Sequence, residues 1–268
     1  MISTANSNKN KVISTIAAVL LGVTSIIGLQ GCGGSSDSVT VVPTQDASGL
    51  FKGTGAVNTA TTLTDIRGFV HGTRFMFFDE TASVLYDGQI TDITGSDVTA
   101  TADIYIDGLK VSSSTITGTV TSQSSMSLIL TGTGFGEGTL SMTFDPLYNR
   151  GATIAKLVTI PPIAWIGDAT TASVGTFIDS PDDGSFTGGV GGGGISCLYD
   201  GTKSVPDATI NIYQLTLIVT DSTDCDHAGT GYTGFFAVVD GDFADDTVLF
   251  AASNGTNANF SIMTRNIP

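Results

Sequence analysis

From residue 49 onward, apolar and hydroxyl-bearing residues alternate one for one. Ile116, Gly118 and Val120 interleave with Thr115, Thr117, Thr119 and Thr121, and Leu140, Met142 and Phe144 with Thr139, Ser141, Thr143 and Asp145. A period of two sends every apolar residue to one face of an extended strand, whereas a helix would scatter the same residues around its circumference. The pattern predicts half-buried strands here and at 102–106, 126–131, 213–219, 232–239, 247–252 and 257–264. Asp87-Gly88, Asp107-Gly108, Asp183-Gly184, Asp200-Gly201, Asp240-Gly241 and Asn254-Gly255 fall among them; such pairs accept the positive φ of two-residue hairpin turns. Successive hairpins leave little room for helical crossovers. The expected fold is therefore all-β, an antiparallel meander forming one or two small β-barrels or sandwiches. Phe51-Lys52-Gly53, Phe186-Thr187-Gly188 and Tyr232-Thr233-Gly234 repeat an aromatic-x-Gly pattern, in which glycine lets a sheet bend and the ring covers the gap.

One segment departs from the alternation. Ala152, Ile154, Ala155 and Leu157 stand at helical spacing before Pro161-Pro162 stops the run. A short helical joint is expected over 146–161, between an N-terminal β half at 49–145 and a C-terminal β half at 162–268. The glycine-rich run 188–194 is too short for an interdomain linker and reads as a flexible hairpin loop. Composition agrees: the acids are almost all Asp, with Glu80 and Glu137 the two glutamates, so strong helix formers are scarce.

Upstream of the β body, Lys9 and Lys11 precede an apolar run over 12–29, and small Gly31 stands directly before Cys32. Basic, then apolar, then small is the anatomy of a secretory signal peptide. Leu29-Gln30-Gly31-Cys32 resembles the lipobox of bacterial lipoproteins, with Gln30 departing from that family's small residue. The resemblance implies that residues 1–31 are removed and that Cys32, the new N-terminus, carries a diacylglycerol and an amide-linked acyl chain such as palmitate. Two or more chains make attachment to a lipid bilayer stable. Gly33, where the family's inner-membrane members have Asp, implies the outer membrane. Residues 32–48 then form a flexible tether. The C-terminal half is similar to a group of uncharacterised Gly-rich envelope lipoproteins of Gram-negative bacteria. The matching residues are Tyr148-Asn149-Arg150, Ile154-Ala155, Asp183-Gly184, Cys197, Asn211-Ile212-Tyr213, Cys225 and Leu249-Phe250-Ala251-Ala252.

Without residues 1–31 the chain keeps 8 basic residues against 25 acidic ones. That balance, with no adjacent basic pair, excludes nucleic acid as a partner. Cys197 and Cys225 form an even pair in an exported, oxidising compartment and are expected to be disulfide-bonded. His71 and His227 are the two histidines, and no nucleophile elbow or zinc-binding helix accompanies them, so no catalytic residue can be singled out and no cofactor is implied. Hard oxygen ligands for calcium occur at Asp179, Asp182, Asp183, Asp240, Asp242 and Asp245, but neither loop has the spacing of an EF-hand. The function expected is a non-enzymatic outer-membrane lipoprotein that binds an unknown protein or envelope ligand or serves as a structural module. A periplasmic hydrolase and a calcium-stabilised adhesin are the alternatives.

Overall fold

The computed structural model describes residues 44–157, 164–167, 174–192, 195–220 and 229–266. Residues 42–268 belong to one compact unit. The described strands make two antiparallel circuits of eight. The first contains β1 (Gly49–Val57), β2 (Thr61–His71), β3 (Arg74–Asp79), β4 (Val84–Thr94), β5 (Asp97–Ile106), β6 (Leu109–Thr121), β7 (Ser125–Thr131) and β8 (Gly138–Asp145). The second contains β9 (Ala164–Gly167), β10 (Val174–Asp179), β11 (Ser185–Gly192), β12 (Ile195–Ser204), β13 (Tyr213–Val219), β14 (Gly231–Val239), β15 (Thr247–Ser253) and β16 (Ala258–Asn266). In both, each strand pairs with the next in sequence, as hairpin connections dictate.

Closure differs between the two. β8 pairs with β1 over its whole length, from Asp145 opposite Leu50 to Gly138 opposite Val57. The second circuit is completed by β9 alone, where Trp165 faces Phe177 on one side and Arg265 on the other.

The alternation read from the sequence becomes an inside and an outside. Phe51, Phe75, Phe77, Tyr86 and Ile104 fill the first barrel, with Phe51 and Phe77 edge to face at 6.2 Å. Trp165, Phe186, Tyr199, Phe236 and Phe250 fill the second. Fully burying each such ring is worth roughly 1.5–3 kcal/mol.

Four local expectations are corrected. Asp107-Gly108 does form a hairpin turn, both residues at positive φ, but Asp87-Gly88 and Asp200-Gly201 lie inside β4 and β12. A Cβ on Gly88 would stand 2.0 Å from the Phe75 ring, and one on Gly201 2.3 Å from the Phe186 ring. These glycines make room for a cross-strand aromatic rather than for a turn. The glycine run contributes residues 188–192 to β11 instead of to a loop, paired with β12. The expected helix is two 3-10 turns, Pro146–Arg150 and Ile154–Leu157, with Gly151 at φ 78° between them. The end of the expected tether is packed: Gln45 donates its N–H to Gly95 and accepts one from Ser122, and Ala47 is buried.

Those glycines also expose a duplication. Leu85-Tyr86-Asp87-Gly88 on the fourth strand of the first barrel recurs as Leu198-Tyr199-Asp200-Gly201 on the fourth strand of the second. Phe75 lies opposite Gly88 and Phe186 opposite Gly201. The carbonyls of Thr101 and Thr216 close the far side of the respective glycines. Both tyrosines are buried, which pushes their phenols up.

β15 throughout and β14 from Gly234 onward lack alternation in burial because both of their faces are covered. One face lines the second barrel. The other presents Phe235, Ala237, Val239, Leu249 and Ala251 to the outside of the first, where Phe235 meets Phe69 at 6.0 Å and Phe260 of β16 meets Phe78 at 5.6 Å. In the first barrel the strands in the same places, β6 to β8, carry Thr117, Thr119, Ser127, Ile129, Thr139 and Ser141 outward, all exposed. One copy of the face is apolar and covered, and the other is open and hydroxyl-bearing apart from Ile129.

Candidate functional site

The seam between the barrels is fastened at several places. The Arg74 guanidinium clamps Asp87 with Nε to Oδ1 at 2.9 Å and Nη2 to Oδ2 at 2.8 Å, while Nη1 donates to Thr233 Oγ1 at 2.9 Å. The Ser253 hydroxyl donates to Asp87, and Glu80 accepts from the Ser261 hydroxyl and the Ile262 N–H. The β5–β6 and β15–β16 turns bind each other through Lys110 N–H to Thr256 O and Ala258 N–H to Gly108 O. Two-point guanidinium–carboxylate pairing fixes orientation as well as distance.

Beside this seam lies a groove of about 470 Å³. One wall is the β2–β3 hairpin from His71 to Arg74; the floor is formed by the outward residues of β12 and β13, with Ser204 opposite Gln214 and Thr202 opposite Thr216. Thr202 and Thr216 share a hydrogen bond at 2.8 Å. Phe235 closes the inner end beneath His71 (6.0 Å, edge on) and the Arg74 guanidinium (5.7 Å). Ser204 and Gln214 are exposed and His71 is half-buried. The groove was hidden in the sequence because its walls come from positions more than a hundred residues apart. The repeated Leu-Tyr-Asp-Gly was the available signal of two like barrels.

The 240–246 loop is engaged in fastening. Asp240 takes two bonds from Arg150 and the N–H of Asp245, and Asp245 takes a third guanidinium bond at 2.8 Å with Lys156 at 3.5 Å. The Arg150 guanidinium beside Asp240 holds that carboxyl down at about 2. Asp246 is also lowered: burial pushes it up, but the N–H groups of Phe243 and Gly241 and the Thr247 hydroxyl outweigh burial. The loop is thus a clasp on the 3-10 turn after β8. Asp183 accepts from the N–H and hydroxyl of Ser185, Asp182 and Asp242 are exposed, and the Asp179 side chain lies outside the described residues. Among the described residues no three His, Cys, Asp or Glu side chains gather as a metal-holding group.

His71 stands in a concave site, as a hydrolase would require, yet the carboxylate that feels its charge, Asp207, is held low chiefly by the hydroxyl and N–H of Thr209. Cys197 lies on β12 and is half-buried. Cys32, Cys225 and His227 lie outside the described residues. Comparison with protein families, with curated proteins and with solved structures finds no match.

Proposed function

We propose that the chain is a non-enzymatic outer-membrane lipoprotein whose two-barrel body binds an envelope ligand in the groove at the seam. The observation that carries this reading is the division of labour among polar groups. Arg74, Asp87, Arg150, Asp240 and Asp245 are engaged in fastening one element to another. The residues facing the groove offer hydrogen bonds and no paired nucleophile and base. Lipidation at Cys32, with the tether after it, supplies the anchor. A clickable palmitate analogue is expected to label the wild type and place it in the outer-membrane fraction, and Cys32→Ser is expected to lose both. Labelling that survives the substitution overturns the anchor. Turnover of an ester, amide or glycosidic substrate that disappears in the His71→Ala/His227→Ala double variant replaces the binding module with a hydrolase.

The proposal includes the Cys197–Cys225 bond. Thr220 donates its N–H to Leu198 O at 2.8 Å and Gly229 donates to Val219 O at 2.9 Å. The connection carrying Cys225 therefore leaves the sheet at Leu198, the neighbour of Cys197, and returns to it at Val219. Closing that loop contributes about 3.5 kcal/mol in the chain-entropy picture. Thiol titration of the denatured, non-reduced mature chain is expected to find neither cysteine reactive, and two reactive thiols refute the bond.

A further inference from the structure

We infer that the ligand of the seam groove is a neutral saccharide, an inference that rests on the binding reading above. Charge comes first. No carboxylate lines the groove, and its one fixed cation, Arg74, is already neutralised by the two-point pairing with Asp87. An anionic ligand has no free counter-charge to meet, and the acidic body repels it. The second consideration is what remains to bond with. The Ser204 hydroxyl, the Gln214 amide and the His71 imidazole hold no hydrogen bond among the described residues, and the Thr202–Thr216 hydroxyl pair lies between them. Hydroxyls and an amide donate and accept at once, which matches the vicinal hydroxyls of a sugar ring. The third is the form of the apolar surface. The groove has apolar lining, yet its large apolar side chains, Leu215 and Phe235, are 3% and 4% exposed, so neither opens a pocket for a peptide side chain or an acyl chain. The volume, about 470 Å³, lies within the range of small-ligand sites.

The test is saturation-transfer NMR on the full chain, in a detergent without a sugar headgroup, with maltose, cellobiose and N,N′-diacetylchitobiose as probes. At least one disaccharide is expected to bind with a dissociation constant of about a millimolar. Gln214→Leu and Thr216→Val, both at exposed positions, are expected to weaken it at least fivefold with an unchanged melting temperature. Thr139→Ala, on β8, is expected to leave it unchanged. The inference is overturned if none of the three binds at 20 mM (roughly twentyfold above that constant), if both groove variants bind like wild type, or if phosphate or a tripeptide displaces the sugar. Failure here with envelope attachment intact removes the saccharide alone. Hydrolysis of the bound disaccharide removes the binding-module reading itself.

Discussion

Asp79 is 1% exposed at the end of β3, where its Oδ2 accepts the N–H groups of Thr64 and Asp65 and its Oδ1 accepts that of Ala82. Thr64 and Asp65 are the residues at which β2 slips its register on β1, so one carboxylate satisfies two donors that the bulge releases from the ladder. Asp79→Ala strands them and is expected to cost about 3 kcal/mol, read from the shift in urea midpoint. Gly88→Ala places a Cβ against the Phe75 ring and the Thr101 carbonyl, for an expected loss of about 2–3 kcal/mol. Adding Phe75→Leu is expected to make the pair markedly non-additive, and strict additivity refutes the close approach. Asp240 answers to acid. Its carboxyl is lowered to about 2, below the ordinary value of about 3.9. Its contribution is therefore complete above about pH 4 and lost as pH falls through about 2. The side chain is 38% exposed, so the screened contribution is about 0.5 kcal/mol. Unfolding of wild type and Asp240→Asn is expected to differ at pH 6 and to coincide below pH 2.

Strands with one wet face announce themselves, and those with two dry faces do not. β7, Ser125–Thr131, alternates cleanly because its outer side meets solvent. β3 reads Arg-Phe-Met-Phe-Phe-Asp and β15 reads Thr-Val-Leu-Phe-Ala-Ala-Ser, and each is buried almost throughout. Continuous apolar runs of this kind are what a seam writes into a sequence. The Asp-Gly pairs misled in β4 and β12 for a related reason. The dipeptide records only that a Cβ is not tolerated, and a ring across the ladder excludes it as surely as a positive φ does. The 3-10 turns after β8 resemble a helix in the sequence because Ala, Ile and Leu spacing does not separate one tight turn from the first turn of an α-helix. The groove escaped because no local rhythm relates His71 to Gln214.

Seen as one body, the two barrels share a hydrophobic cluster that takes in Phe69 and Phe78 from one and Phe235, Val239 and Leu249 from the other. Unfolding is therefore expected to be a single transition by calorimetry. Phe235→Ala, which leaves a cavity under Phe69, is expected to cost about 3–5 kcal/mol and to split the endotherm. Two resolved transitions already present in the wild type show that the seam does not couple the barrels. Since the first circuit is closed by eight residue pairs and the second by the short β9, the lower-melting component is expected to belong to the second.

The unlike twin faces set the molecule's valence. A barrel that offers an adhesive side to its neighbour, repeated in tandem, is the recipe for an open-ended polymer when the contact is head to tail. Threonine and serine on β6 to β8, with Ile129 among them, stand where the twin has phenylalanine, leucine and isoleucine, so this side of the first barrel does not repeat the adhesive face of the second.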